Sequence, residues 1–432
     1  MLSPWHDSTT TPQFPTLNSD TRTSVLIIGG GIIGILTAYF LHRQGIPYML
    51  VEKDKICSHT TGNTTAKITF QHSLIFNKLS KSCGEHVAKM YYNANVDALN
   101  LYKKICRDID CDFETKTNFV YSLNDLKKLE KELETAHKLG IDMKFCNSVP
   151  LPLKTVGAVY TKNQAQFNPL KFLYAIAKDL HIRQGTFIKR VQGNTAFTDK
   201  YKITADHIVF ATHFPFIDRH GGYFMKMHQN RSYVIAIKGA QNIDGMYIDE
   251  NDKGLSFRNY KDMLFIGGSG HRTGKKSDAY EPLRAFAKTH YKTSDEVYHW
   301  AAQDCITLDT MPYIGQYSKK TAMWYIATGF SKWGMTGSMV AATMLRDAIC
   351  GVDNSYAEFF SPSRSIRIPP LLLNGIETAV NFVNPIPKRC SHLGCALKYN
   401  KHEHSWDCPC HGSRFDNQGK LVDNPANKDV NL

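Results

Sequence analysis

The segment SVLIIGGGIIGILTAYFLHRQGIPYMLVEKD, residues 24–54, constrains the fold more than any other part of the chain. Val25, Leu26, Ile27 and Ile28 form an unbroken apolar run, which predicts a strand buried on both faces in a parallel sheet covered by helices. Gly29, Gly31 and Gly34 follow as G-x-G-x-x-G. The first glycine permits a tight turn, the second lets a pyrophosphate approach the backbone, and the third lets the next helix pack closely on the sheet. Phosphates would meet the positive end of a helix starting near Ile32. Ile33, Thr37, Ala38 and Leu41 continue one helical face, Gly45 ends it, and residues 48–51 form the next strand. Glu52 closes that strand, placed to hydrogen-bond a ribose hydroxyl. An acid there argues against a 2′-phosphate, so the unit predicts FAD or NAD rather than NADP.

A chain of 432 residues is too long for one ordinary core and implies two or three domains. Apolar residues at 42% and charged residues at 21% fit a soluble globular protein. The net charge of +13 points either to an acidic partner or to basic residues spread over helix surfaces. KKLEKELETAHK (127–138), with alternating acids and bases, illustrates the second case. No Lys/Arg block carries interleaved aromatics, so no nucleic-acid partner is expected. The N-terminus lacks a basic stretch followed by an apolar one. The stretch 25–41, within the longest uncharged run, is 17 residues long and holds four glycines, which suits a turn better than a transmembrane segment. A cytoplasmic location is expected. Cys57, Cys83, Cys106, Cys111, Cys146, Cys305 and Cys350 form no CxxC pair and read as packing residues.

The nucleotide-binding pattern resumes late in the chain. ADHIVFATHFP (205–215) reads as a buried strand, and TAMWYIATGFSKWGMTGSMVAATMLRDAICG (321–351) as strand, glycine turn and helix. Such an interrupted fold resembles FAD-dependent oxidoreductases of the D-amino acid oxidase and glycine oxidase superfamily. The resemblance implies a late G-x-x-x-x-G turn, here Gly329 and Gly334, whose following amides at Met335 and Thr336 face the flavin pyrimidine ring. Donors there stabilise the charge that a reduced flavin gains. Lys332 is either an added cation or a solvated loop lysine. HTTGNTTAKITFQH (59–72) lies where the family runs a loop past the cofactor, which makes Thr61, Thr64 and Thr65 candidate contacts. QDCITLDTMPYIG (303–315) resembles the segment that re-enters the FAD domain, with Asp309 and Pro312 in a turn.

Between these pieces the apolar spacing predicts helices over 86–109 and 124–140 and strands over 231–239 and 261–269. GGSGHRTGK (267–275) follows a strand expected to point at the flavin. His271 and Arg272 are therefore substrate contacts or structural loop residues, as is His213 in ATHFP. An arginine would suit a carboxylate. No catalytic base is assigned.

SPSRSIRIPP (361–370) reads as a linker, followed by a short helix. Then CSHLGCALKYNKHEHSWDCPCHGS, residues 390–413, packs four cysteines and four histidines into 24 residues. Structural zinc sites use paired C-x₂₋₄-C and H-x₃₋₅-H knuckles. His402 and His404 give only H-x-H on a charged hairpin, which we read as solvated. Cys390-x-His392, 15 residues and Cys408-x-x-His411 remain, which is the Rieske spacing. The resemblance to Rieske proteins implies a 2Fe-2S cluster with two thiolates on one iron and two imidazoles on the other. It also implies a Cys395–Cys410 disulfide clamping the two loops, and a hydrogen bond from Ser413 to a bridging sulfur. Rieske domains usually place a β-rich base ahead of the first loop. Here only some 20 helical-looking residues stand there, so either the base is abbreviated or the rest of the chain supports the loops.

From about residue 22 the whole chain resembles bacterial fusions of an FAD-dependent oxidoreductase with a C-terminal Rieske domain. The implied fold is an α/β Rossmann-like FAD-binding domain (25–75, 186–217 and 303–360) interleaved with an α+β substrate domain (76–185 and 218–302). An N-terminal arm (1–24), a linker (361–384) and a small all-β Rieske domain (385–432) complete it. The expected function is oxidation of a small amine or amino acid by hydride transfer to FAD, with electrons passing singly to the cluster and an external acceptor. The alternatives are a reductase fed by an external donor and a non-catalytic redox carrier or sensor.

Overall fold

The computed structural model describes residues 2–217, 220–292, 294–366, 368–383 and 386–432, and within these all side chains but those of 368, 369, 373 and 383. The apolar run at 25–28 belongs to the strand Thr21–Ile28. It lies between Lys202–Phe210 and Tyr48–Val51, all parallel, with Ile28 level with Phe210 on one side and Val51 on the other. Trp324–Thr328 and Ile182–Arg183 extend this parallel run outward, and antiparallel Tyr313–Gln316 forms an edge. The sheet is thus assembled from three stretches of chain, 21–51, 182–210 and 313–328. Helices Ile32–Arg43 and Gly334–Cys350 pack against each other beside it.

The intervening segments build a second, nine-stranded mixed sheet. Its longest pairing joins Met227–Lys238 to Asp295–Thr307, with Met263–Arg272 on the other side of Met227–Lys238. This interleaving of a Rossmann-like domain with an α+β domain is the architecture the sequence predicts. Among the described residues, no helix is long and apolar enough to cross a membrane.

The N-terminal arm packs onto the body: Trp5 is fully buried, its ring edge-on to Tyr260 and Phe265, and its Nε1 donates to Thr64 O at 2.7 Å. In the charged helix Leu126–Lys138, Glu132 is not on the surface. It is fully buried and accepts the backbone N–H groups of Phe76 and Asn77 at 2.9 and 2.8 Å, capping the helix Ile75–Cys83. Burial raises its pKa to about 7 against those two bonds.

The C-terminal unit holds a four-stranded antiparallel sheet, Lys398–Asn400, Ser405–Asp407, Arg414–Phe415 and Leu421–Asp423. Its core is small: four cysteines, Leu397, Phe415 and Ala426. So few apolar groups stabilise a unit weakly, and the larger body supplies the rest. The linker anchors through Arg364, which pairs with both oxygens of Asp309 at 2.7 and 2.9 Å, before the helix Ile368–Val383. In the 401–404 turn Lys401 and His404 are exposed, as read from the sequence, but the acid between them is not. Glu403 is largely buried, paired with Arg231 of the long central strand and with Arg414.

Candidate functional site

A crevice of about 390 Å³ opens at the carboxyl ends of the parallel strands, where α/β sheets bind ligands. Gly29 takes φ +113° and stands so close to the Lys202–Phe210 strand's end that a Cβ would lie 2.5 Å from Ala211 O. A Cβ at Gly34 would lie 1.9 Å from Gly29 O, so only glycine lets the helix sit on the turn. Thr61 Oγ1 accepts the N–H of Ile32, the first helical residue, at 3.1 Å. Thr61, Thr64 and Thr65 all line the crevice. Glu52 lines it too, accepting from Gly30 N at 2.6 Å and Asp54 N at 2.9 Å. These residues form a cradle of the kind a dinucleotide's pyrophosphate and ribose fit, with the Glu52 and Thr61 side chains already taking the N–H groups of Gly30 and Ile32.

At the other end stand Gly329, Lys332, Gly334 and Met335. Gly329 has φ +77°, and a Cβ there would meet Thr307 Cγ2 at 2.3 Å. The N–H groups of Gly334, Met335 and Thr336 precede the first intrahelical bond, Gly337 N to Trp333 O at 3.3 Å, so they face outward as donors. Thr336's hydroxyl is taken inward by Thr69 O and His72. The same cavity holds Asp304, whose carboxyl burial raises while His213 and Lys332 oppose it. It also holds Lys67, which burial and neighbouring Arg258 lower to about 7. Lys67 and Asp304 lie in the segments 59–72 and 303–315 that the sequence singles out, but neither residue is named there. Both occupy inward positions on strands, which the sequence does not distinguish from ordinary sheet residues.

The two cysteine–histidine loops come together as predicted. The rings of His392 and His411 lie 5.1 Å apart, and Cys390 and Cys408 are buried free cysteines. Cys395 and Cys410 form a disulfide, Cα atoms 6.6 Å apart, joining the loops. His411 is buried with neither ring nitrogen hydrogen-bonded. Burial, then the nearby His392 and Arg272, hold it neutral with a pKa of about 3. A buried, neutral, unsatisfied imidazole beside two thiols and a second imidazole is a donor set that wants a metal. Ser413 is fully buried beside the loop, and its Oγ accepts the N–H of Ala426 at 2.9 Å.

His271 and Arg272 do not reach the crevice. Arg272 turns to the C-terminal unit, donating to Pro409 O at 3.0 Å and Cys410 O at 2.8 Å, while His271 bonds Tyr233 OH and Arg272 O. Lys332 and His213 do line it. Two further residues grip the second cysteine–histidine loop. Gln229 Nε2 donates to His411 O at 2.8 Å and Gln303 Nε2 to Gly412 O at 2.8 Å, and the two glutamines bond each other. Side chains alternate along a strand. Hence Gln303 faces the cluster loop while Ala302 and Asp304 face the crevice, and one sheet separates the two sites. The second loop therefore rests on the body, which resolves the missing base.

The FAD-dependent oxidoreductase family profile matches residues 24–348, and the Rieske [2Fe-2S] domain profile matches residues 383–432. The chain is 34% identical over 487 aligned positions to the Bacillus subtilis (strain 168) protein named as the Rieske 2Fe-2S iron-sulfur protein YhfW, spanning 98% of this chain and 96% of that one. Gamma-glutamylputrescine oxidoreductase of Escherichia coli (strain K12) is 21% identical, covering 82% and 92%. In fold, glycine oxidase from Geobacillus kaustophilus superposes with a TM-score of 0.68 at 16% identity, over 80% of this chain and all of that one. The chain belongs to the FAD-dependent oxidoreductase family of the D-amino acid oxidase type, and carries at its C-terminal end a Rieske domain, which binds a 2Fe-2S cluster.

Proposed function

We propose that this enzyme oxidises a small amine or amino acid and passes the electrons outward one at a time, through the Rieske centre to an external acceptor. FAD accepts a hydride and releases electrons singly, whereas the cluster carries one electron, so the pair converts two-electron into one-electron chemistry. The single observation that carries the reading is the alternation on Asp295–Thr307: Gln303 holds the cluster loop while its neighbours Ala302 and Asp304 line the FAD crevice.

The chain's own groups fit their tasks. The N–H groups at 334–336 form a donor cluster at a helix N-terminus, placed to stabilise negative charge on a bound ring system. Lys67, with a pKa of about 7, and Asp304, raised by burial, offer a cation and an acid in a partly apolar cavity, where a carboxylate or ammonium would be oriented. The names of the relatives, glycine oxidase and gamma-glutamylputrescine oxidoreductase, belong to the same amine and amino-acid class.

The test is an anaerobic screen of amines and amino acids against the purified holoprotein, read by bleaching of the flavin absorbance. One chemical class is expected to bleach it within seconds. A flavin that dithionite reduces but no member of the panel touches would favour the carrier alternative instead.

A further inference from the structure

The FAD crevice has a wall that its own domain does not supply. Leu421, Val422, Asp423, Asn424, Ala426 and Asn427, from the last strand of the Rieske domain and the segment after it, line the same cavity as Gly29, Gly31 and Glu52. They lie outside residues 24–348, the stretch matched to the flavoprotein family. We propose that this segment is a clamp that completes the FAD site, so that the Rieske domain holds the dinucleotide in place as well as carrying the cluster.

Three separate parts of the body receive the clamp. Lys53 Nζ donates to Val422 O at 3.0 Å, and His59 pairs with Asp423 at 3.5 Å, both beside Glu52. Asn424 Nδ2 donates to Thr212 O and to Phe214 O at 2.6 Å, just past the strand end that abuts Gly29. Asn427 Nδ2 donates to Lys189 O at 3.1 Å. Charge does not oppose the arrangement. Asp423 is compensated by His59 and by Arg414, 3.0 Å away, so the clamp brings no free negative charge towards a diphosphate.

The clamp is also tied to the cluster. Gln229 Nε2 donates both to His411 O at 2.8 Å and to Asn424 O at 2.9 Å, and Ser413 Oγ takes the N–H of Ala426. One glutamine thus joins a cluster-ligand loop to the FAD wall. Coupling between binding sites is reciprocal: a formed cluster domain tightens FAD, and bound FAD orders the clamp.

Full-length holoprotein carrying Asn424→Ala or Asp423→Asn should release FAD at least tenfold more readily than wild type, measured by recovery of free-flavin fluorescence on dilution. The cluster's visible circular dichroism and EPR signals report whether the Rieske domain stays intact. Retention of FAD with wild-type affinity in both variants would overturn the clamp. A second measurement needs no variant. Hydrogen exchange of wild-type protein, with cluster present and FAD removed or restored, should show residues 421–427 protected at least tenfold more with FAD bound. Equal exchange in the two states would overturn it as well. Neither readout involves a substrate, so an empty amine screen leaves this result standing.

Discussion

The glycine turn at 29–34 is held mainly by backbone and by side chains near it in sequence, Glu52 and Thr61, whereas the loop at 408–413 is held by side chains of a distant sheet. In the first, strand, turn and helix are consecutive in sequence, and Gly34 meets Gly29 O across only five residues. In the second, Gln229, Arg272 and Gln303 reach across more than a hundred positions to grip carbonyls of the loop. A site built from local backbone tolerates loss of distant contacts but not of its glycines. A site borrowed from a distant sheet is sensitive to those distant contacts as well as to its glycine, since a Cβ at Gly412 would lie 2.5 Å from Gln229 Cβ.

The largest effect expected from breaking that contrast is at Gly34. Gly34→Ala places a methyl against a carbonyl that cannot move without the strand, and overpacking of this kind costs on the order of 3 kcal/mol. Thermal unfolding of the apoprotein should show that loss, together with failure to retain FAD. A variant as stable as wild type would show that the turn has slack the contacts deny.

Arg272→Ala comes next. It removes two charge-assisted bonds to the second cluster loop, and changes around metal ligands typically cost 10–100-fold in metal affinity. The cluster's absorbance should decay about tenfold faster or more under chelator while FAD stays bound. Equal decay would mean that the disulfide and the domain's own core suffice.

Smallest is the effect of pH on the contact between the two regions. Burial works against charge on His59, but Asp423 and Asp54 outweigh it and raise its pKa from 6.5 to about 9, with Lys53 opposing and His213 also close. A raised pKa in the folded state means stability that is complete below pH 6.5 and lost as pH rises through about 9. His59 is partly exposed, which discounts its share. FAD release should therefore quicken modestly between pH 7 and 10, and His59→Gln should flatten that dependence.

These sensitivities follow what was legible in the sequence. The FAD cradle was readable because its glycines, strand and acid fall within one short stretch, where spacing reports geometry directly. The cluster ligands were readable for the same reason, each pair lying within four residues. Arg272 was left between a substrate contact and a structural role, because the sequence does not show that the strand Met263–Arg272 carries it past the crevice, to the edge where the Rieske domain sits. Glu403 and Glu132 were taken for surface charges, since neither Arg231 nor the N–H groups of Phe76 and Asn77 are sequence neighbours. The clamp at 421–427 had no signal at all. Its role exists only where two domains meet.

On the proposed function, FAD and the cluster form one electron path within a single chain. Illuminating the anaerobic holoprotein with EDTA reduces the flavin directly and needs no substrate. Low-temperature EPR should then show the reduced Rieske signal, with its low average g-value, growing in as the flavin bleaches and without added mediator. A fully bleached flavin beside a cluster that stays oxidised until a mediator is added would contradict the claim.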